Sequence, residues 1–192
     1  MSEQLFKIIY IILLIIGGVG RAPFAVKAKR VKDTKFYKKT REYFVLSAAS
    51  LLIIPALLYV FTDWLNGFNM GLPFWARIAG GAGFAFAIFL HNWTHIALGV
   101  NWSHTLEIKK NQKLITRGPY KYVRHPMYSS FWVWAIFQGL LLSNWLVLIL
   151  GVVSFGTIYF SRVKDEEKIM IEKFGDEYKE YMKRTGRLFP KI

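Results

Sequence analysis

Apolar residues in this chain come in blocks. Leu5–Gly20, Tyr43–Phe61, Phe74–Val100, Met127–Leu142 and Trp145–Ser161 each run almost without an acid or a base. A helix of a soluble domain would carry a charged face beside its apolar stripe, and these blocks have none. At about 1.5 Å per residue, the two longest blocks can cross a hydrocarbon core of about 30 Å. The other three must tilt, thin the bilayer or be completed by interfacial residues. The pattern therefore predicts an all-α integral membrane protein of about five transmembrane helices. Only Ser143 and Asn144 separate the last two blocks, which are expected to form a tight helical hairpin.

The polar connections supply an orientation. Arg21–Glu42 holds Arg21, Lys27, Lys29, Arg30, Lys32, Lys35, Lys38, Lys39 and Arg41 against Asp33 and Glu42. Thr62–Pro73 has no base and one acid, Asp63, whereas Asn101–His125 carries Lys109, Lys110, Lys113, Arg117, Lys121 and Arg124. The tail from Arg162 is basic again. Basic and non-basic connections thus alternate, as five crossings require, which predicts an N-terminus outside and a cytoplasmic C-terminus.

Composition narrows the function classes. The net charge of +14, from 26 Lys and Arg against 12 acids, would suit nucleic acid in a soluble chain. Here it is expected to reflect topology and contact with anionic membrane lipids, with no nucleic-acid partner. The absence of cysteine excludes disulfides, thiolate catalysis and zinc–sulfur sites. The first block is read as a retained helix, because Met1-Ser2-Glu3-Gln4 has no net positive charge and no small-x-small cleavage pattern precedes Arg21. Gly80, Gly81 and Gly83 are expected to serve close helix packing, since no strand precedes them to make a dinucleotide loop. His91 and His95, one turn apart, are read as polar lining or interhelical hydrogen bonds, with no metal site assigned.

The chemistry-bearing residues gather at two places. Thr116–Tyr128 leads into the fourth block, and Arg162-Val163-Lys164-Asp165-Glu166-Glu167 leaves the fifth. A tight hairpin would return both to the same side. Arg162 and Glu166, four apart, share a helix face. Singly these residues have plain explanations: a helix-stabilising ion pair, Lys121 and Arg124 as snorkelling cations, an interfacial tyrosine belt, Pro126 as a helix start.

Together they resemble a known family. Gly118-Pro119-Tyr120, Arg124-His125-Pro126-Met127-Tyr128, Glu166-Glu167 and Phe174-Gly175-Asp176-Glu177-Tyr178 are similar to the isoprenylcysteine carboxyl methyltransferase family, over roughly Asn101 to the end. Gly99–His104 also resembles that family's approach to its cofactor site. The resemblance implies S-adenosylmethionine as methyl donor and a prenylated cysteine as acceptor, with the cofactor bound by a cytoplasmic C-terminal region. By motif position it implies cofactor contacts from Gln112, Lys113, Leu114, Ile115, Tyr120, His125, Pro126, Met127, Tyr128 and Glu166 or Glu167. Glu107 joins them, although the loop after it is shorter than in the animal enzymes. Arg162 is assigned to the substrate and, with Glu166 and Glu167, to the catalytic set. The chain then reads as one membrane domain, 1–192, with three N-terminal helices over 1–100 and a methyltransferase region over 101–192.

The implied chemistry suits these residue types. Carboxylates accept from ribose hydroxyls, and aromatic walls suit an adenine ring. An α-carboxylate with a reference pKa of about 3.3–3.7 is already ionised at neutral pH, so no general base is required. Two other readings stay open: a related phospholipid or lipid-amine N-methyltransferase, and a non-enzymatic scaffold that binds anionic lipid.

Overall fold

Among the described residues, helices carry nearly all of the regular structure. The computed structural model describes the backbone of residues 2–29, 34–36, 39–101, 107–109 and 113–191, and the side chains of 3–24, 26, 47, 50–99, 101 and 113–191. In chain order the elements are α1 (Ser2–Lys29), β1 (Thr34–Phe36), α2 (Lys39–Phe61), α3 (Phe74–Leu98), β2 (Glu107–Lys109), α4 (Pro126–Leu142), α5 (Trp145–Phe174) and α6 (Asp176–Arg184).

Glu3–Phe24, Phe74–Leu98 and Trp145–Phe174 are long and apolar enough to cross a membrane. α4 has 17 residues, and Ser50–Phe61, the part of α2 whose side chains are described throughout, is apolar. Ile8, Ile12, Ile15 and Val19 of α1, Phe86, Phe89 and Ile96 of α3, and Ile149, Val153 and Phe160 of α5 are exposed. So much outward apolar surface is unfavourable in water and favourable in lipid, where backbone groups must be satisfied within each helix. The chain is an integral membrane protein.

Among the described residues, two short strands depart from the expected all-α fold. β1 and β2 pair antiparallel, with Lys35 opposite Ile108. They lie in the two basic connections, so pairing brings those connections to one end of the bundle. At the other end, Met70 N donates to Ser143 O over 2.7 Å, and Asn144 Nδ2 donates to Leu65 O over 2.9 Å. The ordering of basic and non-basic loops along the sequence thus becomes a separation in space.

Ser143 adopts a left-handed conformation (φ 53°), and Asn144 caps α5 by accepting from Val147 N at 3.1 Å. α4 and α5 run back along each other: Gly139 meets Leu148, while Tyr128 meets Tyr159. α5 does not stop where the apolar residues do. It continues as one helix to Phe174, so Arg162, Glu166 and Glu167 project from a rigid rod.

Polar side chains bind the apolar bundle at defined points. Gln138 of α4, fully buried, donates to Leu52 O of α2 (2.8 Å) and accepts from Trp134 Nε1 (3.1 Å) and from Tyr10 of α1 (3.4 Å). Near the non-basic end, Arg77 grips Glu3 through Nη1 (2.6 Å) and Nη2 (3.2 Å), and its Nε donates to Leu141 O (3.0 Å). His91 packs on Phe131 and lies near Ser130 of α4 (3.4 Å), and His95 Nδ1 lies 2.9 Å from His91 O.

The close approach of α3 to α4 depends on Gly80. A Cβ there would lie 2.5 Å from Leu141 N, a backbone atom that cannot swing aside. Gly18 of α1 faces open space. Gly80→Ala should therefore destabilise the detergent-solubilised protein by about 1–3 kcal/mol, the usual range for overpacking. Gly18→Ala should leave the melting temperature at or slightly above that of the parent. Equal melting temperatures for the two variants would contradict this packing.

Candidate functional site

The site is built where two segments meet at the basic end. Gly118 lies against Ala97 and Trp93 of α3, and Gly118–Lys121 forms a 3-10 turn. Arg124 and His125 follow, and Pro126 opens α4. Proline fits this first helical position because it has no N–H to leave unsatisfied. The result is that His125 stands at the helix start and Tyr128 one turn later, their rings stacked at 5.5 Å between centroids.

α5 supplies the opposing wall. Tyr128 Oη donates to Glu166 Oε1, Arg162 Nε lies 3.7 Å from the same oxygen, and His125 Nδ1 lies 3.5 Å from Glu166 Oε2. On its other side, His125 Nε2 lies 3.3 Å from Glu167 Oε1. The imidazole therefore bridges two consecutive carboxylates. Burial opposes its protonation, but hydrogen bonds and charge from Glu166 and Glu167 outweigh burial and raise its pKa above the ordinary histidine value. A protonated ring donates from both nitrogens, which is what two carboxylate partners require.

The two glutamates differ sharply. Glu167 is buried, and its Oε1 accepts from Arg124 Nε and Nη2 (3.2 Å each) and from Arg187 Nε (3.0 Å). Its Oε2 accepts from Arg187 Nη2 at 2.5 Å. The side chain of Glu166 keeps 25% of its surface, against 7% for Glu167. Of the two, Glu166 has the more exposed side chain.

The structure brings Tyr120, His125, Pro126, Met127, Tyr128, Arg162, Glu166 and Glu167 to one end of the α4–α5 pair. Tyr120 O accepts from Tyr181 Oη of α6 (2.6 Å), and burial together with Tyr181 and Glu166 pushes its phenol well above the usual pKa. Lys113 N donates to Asn101 Oδ1 (3.1 Å), and Leu114 and Ile115 are half-buried in the stretch leading to Gly118. Gln112 and the side chain of Glu107 lie outside the described residues.

Arg124 is no snorkelling cation. Its side chain is 9% exposed and also donates through Nη1 to Met182 O (3.2 Å) and Thr185 O. Arg187 is absent from the sequence-based assignment altogether. One arginine among many bases in a tail carries no local signal of a buried partner twenty residues upstream.

A family model described as the isoprenylcysteine carboxyl methyltransferase (ICMT) family matches residues 80–172. A protein-S-isoprenylcysteine O-methyltransferase of Schizosaccharomyces pombe is 32% identical over 106 residues, covering 54% of this chain and 45% of the relative. The Saccharomyces cerevisiae protein of that name is 38% identical over 96 residues, covering 49% and 40%. The Rattus norvegicus one is 28% identical over 160 residues, covering 77% and 56%. The chain thus spans about half the length of these curated relatives. A solved structure titled as the eukaryotic intramembrane Ras methyltransferase ICMT shares the fold, with a TM-score of 0.56 at 22% identity over 82% of this chain and 55% of that one. The stretch that matches the isoprenylcysteine carboxyl methyltransferase family model, residues 80–172, runs from the second turn of α3 to the last turn of α5.

Proposed function

We propose that this chain transfers a methyl group from S-adenosylmethionine to the α-carboxylate of an S-prenylated cysteine at the membrane–cytoplasm boundary. The observation that carries the reading is Glu166: a partly exposed side chain whose carboxylate is held by His125, Tyr128 and Arg162, at the end of an apolar bundle and inside the family-matched segment. All five long helices cross the bilayer in this reading, α4 and α5 as a hairpin, with the N-terminus outside and the basic end cytoplasmic. The whole chain is one membrane domain, 1–192, in which 101–192 carries the chemistry on three helices from 1–100. Its partners are membrane lipid and the prenylated acceptor.

The donor set fits the methyl donor. Glu166 offers acceptor oxygens for ribose hydroxyls, and the stacked His125 and Tyr128 rings, with Tyr120 nearby, offer an aromatic wall for a purine. Pro126 and Met127 add apolar surface beside that wall, and Lys113, Leu114, Ile115, Gln112 and Glu107 would close the site from the preceding connection. When bound, the cofactor supplies an electrophilic methyl group. Glu167, enclosed by cations, orients the site from behind rather than touching a ligand.

Arg162 does the remaining work. Its side chain is 12% exposed and stands one turn before Glu166, where the apolar part of α5 ends. A prenyl chain can stay in the hydrocarbon while its cysteine carboxylate meets the guanidinium. The planar fork fixes both carboxylate oxygens, strips water from them and aligns one for in-line displacement. The carboxylate is ionised at neutral pH, so no protein group need remove a proton.

Product analysis tests this directly. Purified protein with S-adenosylmethionine should methylate a prenylcysteine and leave phosphatidylethanolamine unchanged; the reverse would replace the acceptor class. Arg162→Lys should keep cofactor affinity within about twofold but lower turnover on prenylcysteine about 10-fold or more, because a point charge replaces the fork. Parallel loss of both would remove Arg162 from the substrate.

Cofactor titration separates the two glutamates. Glu166→Ala should weaken S-adenosylmethionine binding by about 1.5–3 kcal/mol with little change in melting temperature. Glu167→Ala should lower the melting temperature too, since it strands buried Arg124. Undiminished binding in both variants would refute the site.

Orientation has its own test, made simple by a chain without cysteine. Gly67→Cys should react with an impermeant thiol reagent from outside intact cells. Lys35→Cys and Lys168→Cys should react only after the cytoplasmic face is opened. Labelling of Lys35→Cys and Gly67→Cys from the same side would overturn the arrangement.

A further inference from the structure

The C-terminal segment beyond the family-matched residues is tied to the site at every level. Arg124 N donates to Gly186 O (2.8 Å) and His125 N donates to Arg187 O (3.1 Å). Ser129 Oγ donates to Leu188 O (2.6 Å), and Val123 bridges Gly186 in parallel. Tyr181 Oη and Thr185 O add bonds to the same loop. A Cβ at Gly186 would fall 1.8 Å from Phe189 O, so the tight turn that presents Arg187 admits only glycine there. The strap thus holds the Arg-His-Pro loop by its backbone while the Arg187 side chain reaches α5.

What that side chain does there follows from counting acceptors. Arg124 brings two nitrogens to Glu167, but both go to Oε1, and its third nitrogen donates to main-chain carbonyls. Among the described residues, the hydrogen bond at Glu167 Oε2 comes from Arg187. Arg187 therefore sets the rotation of the carboxylate, with Nε on one oxygen and Nη2 on the other. If Arg187 were removed, a buried oxygen would lose its donor and the carboxylate would turn toward Arg124 and His125. His125 spans Glu167 and Glu166, so its ring would follow and leave Glu166 differently aimed.

We infer that Arg187 is a positioning residue for the methyl-donor site, acting on Glu166 through Glu167 and His125 without touching the ligand. Its own side chain is 42% exposed at the edge of the site, while Glu167 and His125, through which it acts, are buried. The strap belongs to the site as much as the segments from α4 and α5. This inference rests on the methyltransferase reading.

Calorimetric titration of S-adenosylmethionine and steady-state kinetics on Arg187→Gln, Arg187→Lys and the parent protein test it. Arg187→Gln should weaken cofactor binding roughly 10–100-fold, the scale for groups that orient a directly contacting ligand. The KM for S-adenosylmethionine should rise with it, and the KM for prenylcysteine should stay within about twofold. Arg187→Lys, which keeps the charge but not the fork, should fall between parent and Gln. Added to Glu167→Gln, the Arg187→Gln change should produce little further loss, since both act through one contact. Unchanged affinity in Arg187→Gln would overturn the inference, as would full additivity with Glu167→Gln. A fall in kcat alone, matching a smaller folded fraction and with both KM values unaltered, would reduce Arg187 to a stabilising role. If Arg187→Gln does not fold, Arg187→Lys decides by the same two measurements. Failure of the parent protein to bind S-adenosylmethionine would instead strike the methyltransferase reading itself.

Discussion

A carboxylate placed inside a protein at the edge of a membrane stays charged only if cations surround it, and Glu167 imposes that demand on three separate parts of the chain. Arg124 comes from the loop before α4, His125 from the start of that helix, and Arg187 from the C-terminal strap. Their convergence on one buried side chain joins α5, α4 and the tail more tightly than apolar contact alone could. Breaking such a cluster by removing one member leaves an uncompensated charge behind, at a typical penalty of about 3–5 kcal/mol. Site geometry and local stability are therefore the same property here.

The opposite end of the bundle uses the same principle for a plainer purpose. Arg77, buried in the first turn of α3, holds Glu3 of α1 in a two-pronged pair, while Tyr59 of α2 donates to Glu3 Oε1 at 2.7 Å and Arg77 Nε satisfies Leu141 O of α4. Four helices are registered by one ion pair. Between the two ends, Gln138 does likewise with neutral groups, which suits a level where charge would be expensive. Gly80 then lets α3 and α4 approach to backbone contact. The frame is fixed at three heights, and the chemistry-bearing residues stand on its basic end.

This division explains how an apolar bundle fixed by a handful of polar contacts can present a demanding site. The proposed reaction needs no proton removed from its acceptor, only two reactants aligned and one carboxylate stripped of water. Rigid helices suit alignment better than loops do. Arg162 and Glu166 project from one continuous helix, and Tyr128 projects from its antiparallel neighbour. The remaining participants are loop and strap residues held by main-chain hydrogen bonds, which keep their positions without a conventional soluble domain.

Much of this was legible in the chain. Apolar blocks without charged faces can be satisfied only in lipid, so the helices were apparent from hydropathy alone: Phe74–Val100 became α3 from Phe74 to Leu98, and Met127–Leu142 became α4 from Pro126 to Leu142. The Arg-His-Pro-x-Tyr and Glu-Glu motifs were visible as local strings, because their residues are neighbours in sequence. What sequence could not separate was Glu166 from Glu167, identical side chains one residue apart. Their difference comes from a helical rotation of about 100°, which turns one toward Tyr128 and Arg162 and the other toward Arg124 and Arg187. Arg124, readable as a surface cation, became interior for the same reason, and the three-residue ribbon of β1 and β2 paired segments some seventy residues apart. Arg187 was invisible in a tail of bases. Hydropathy and local motifs are properties of neighbours along the chain, whereas the partner of a buried charge is settled only when distant segments close around it.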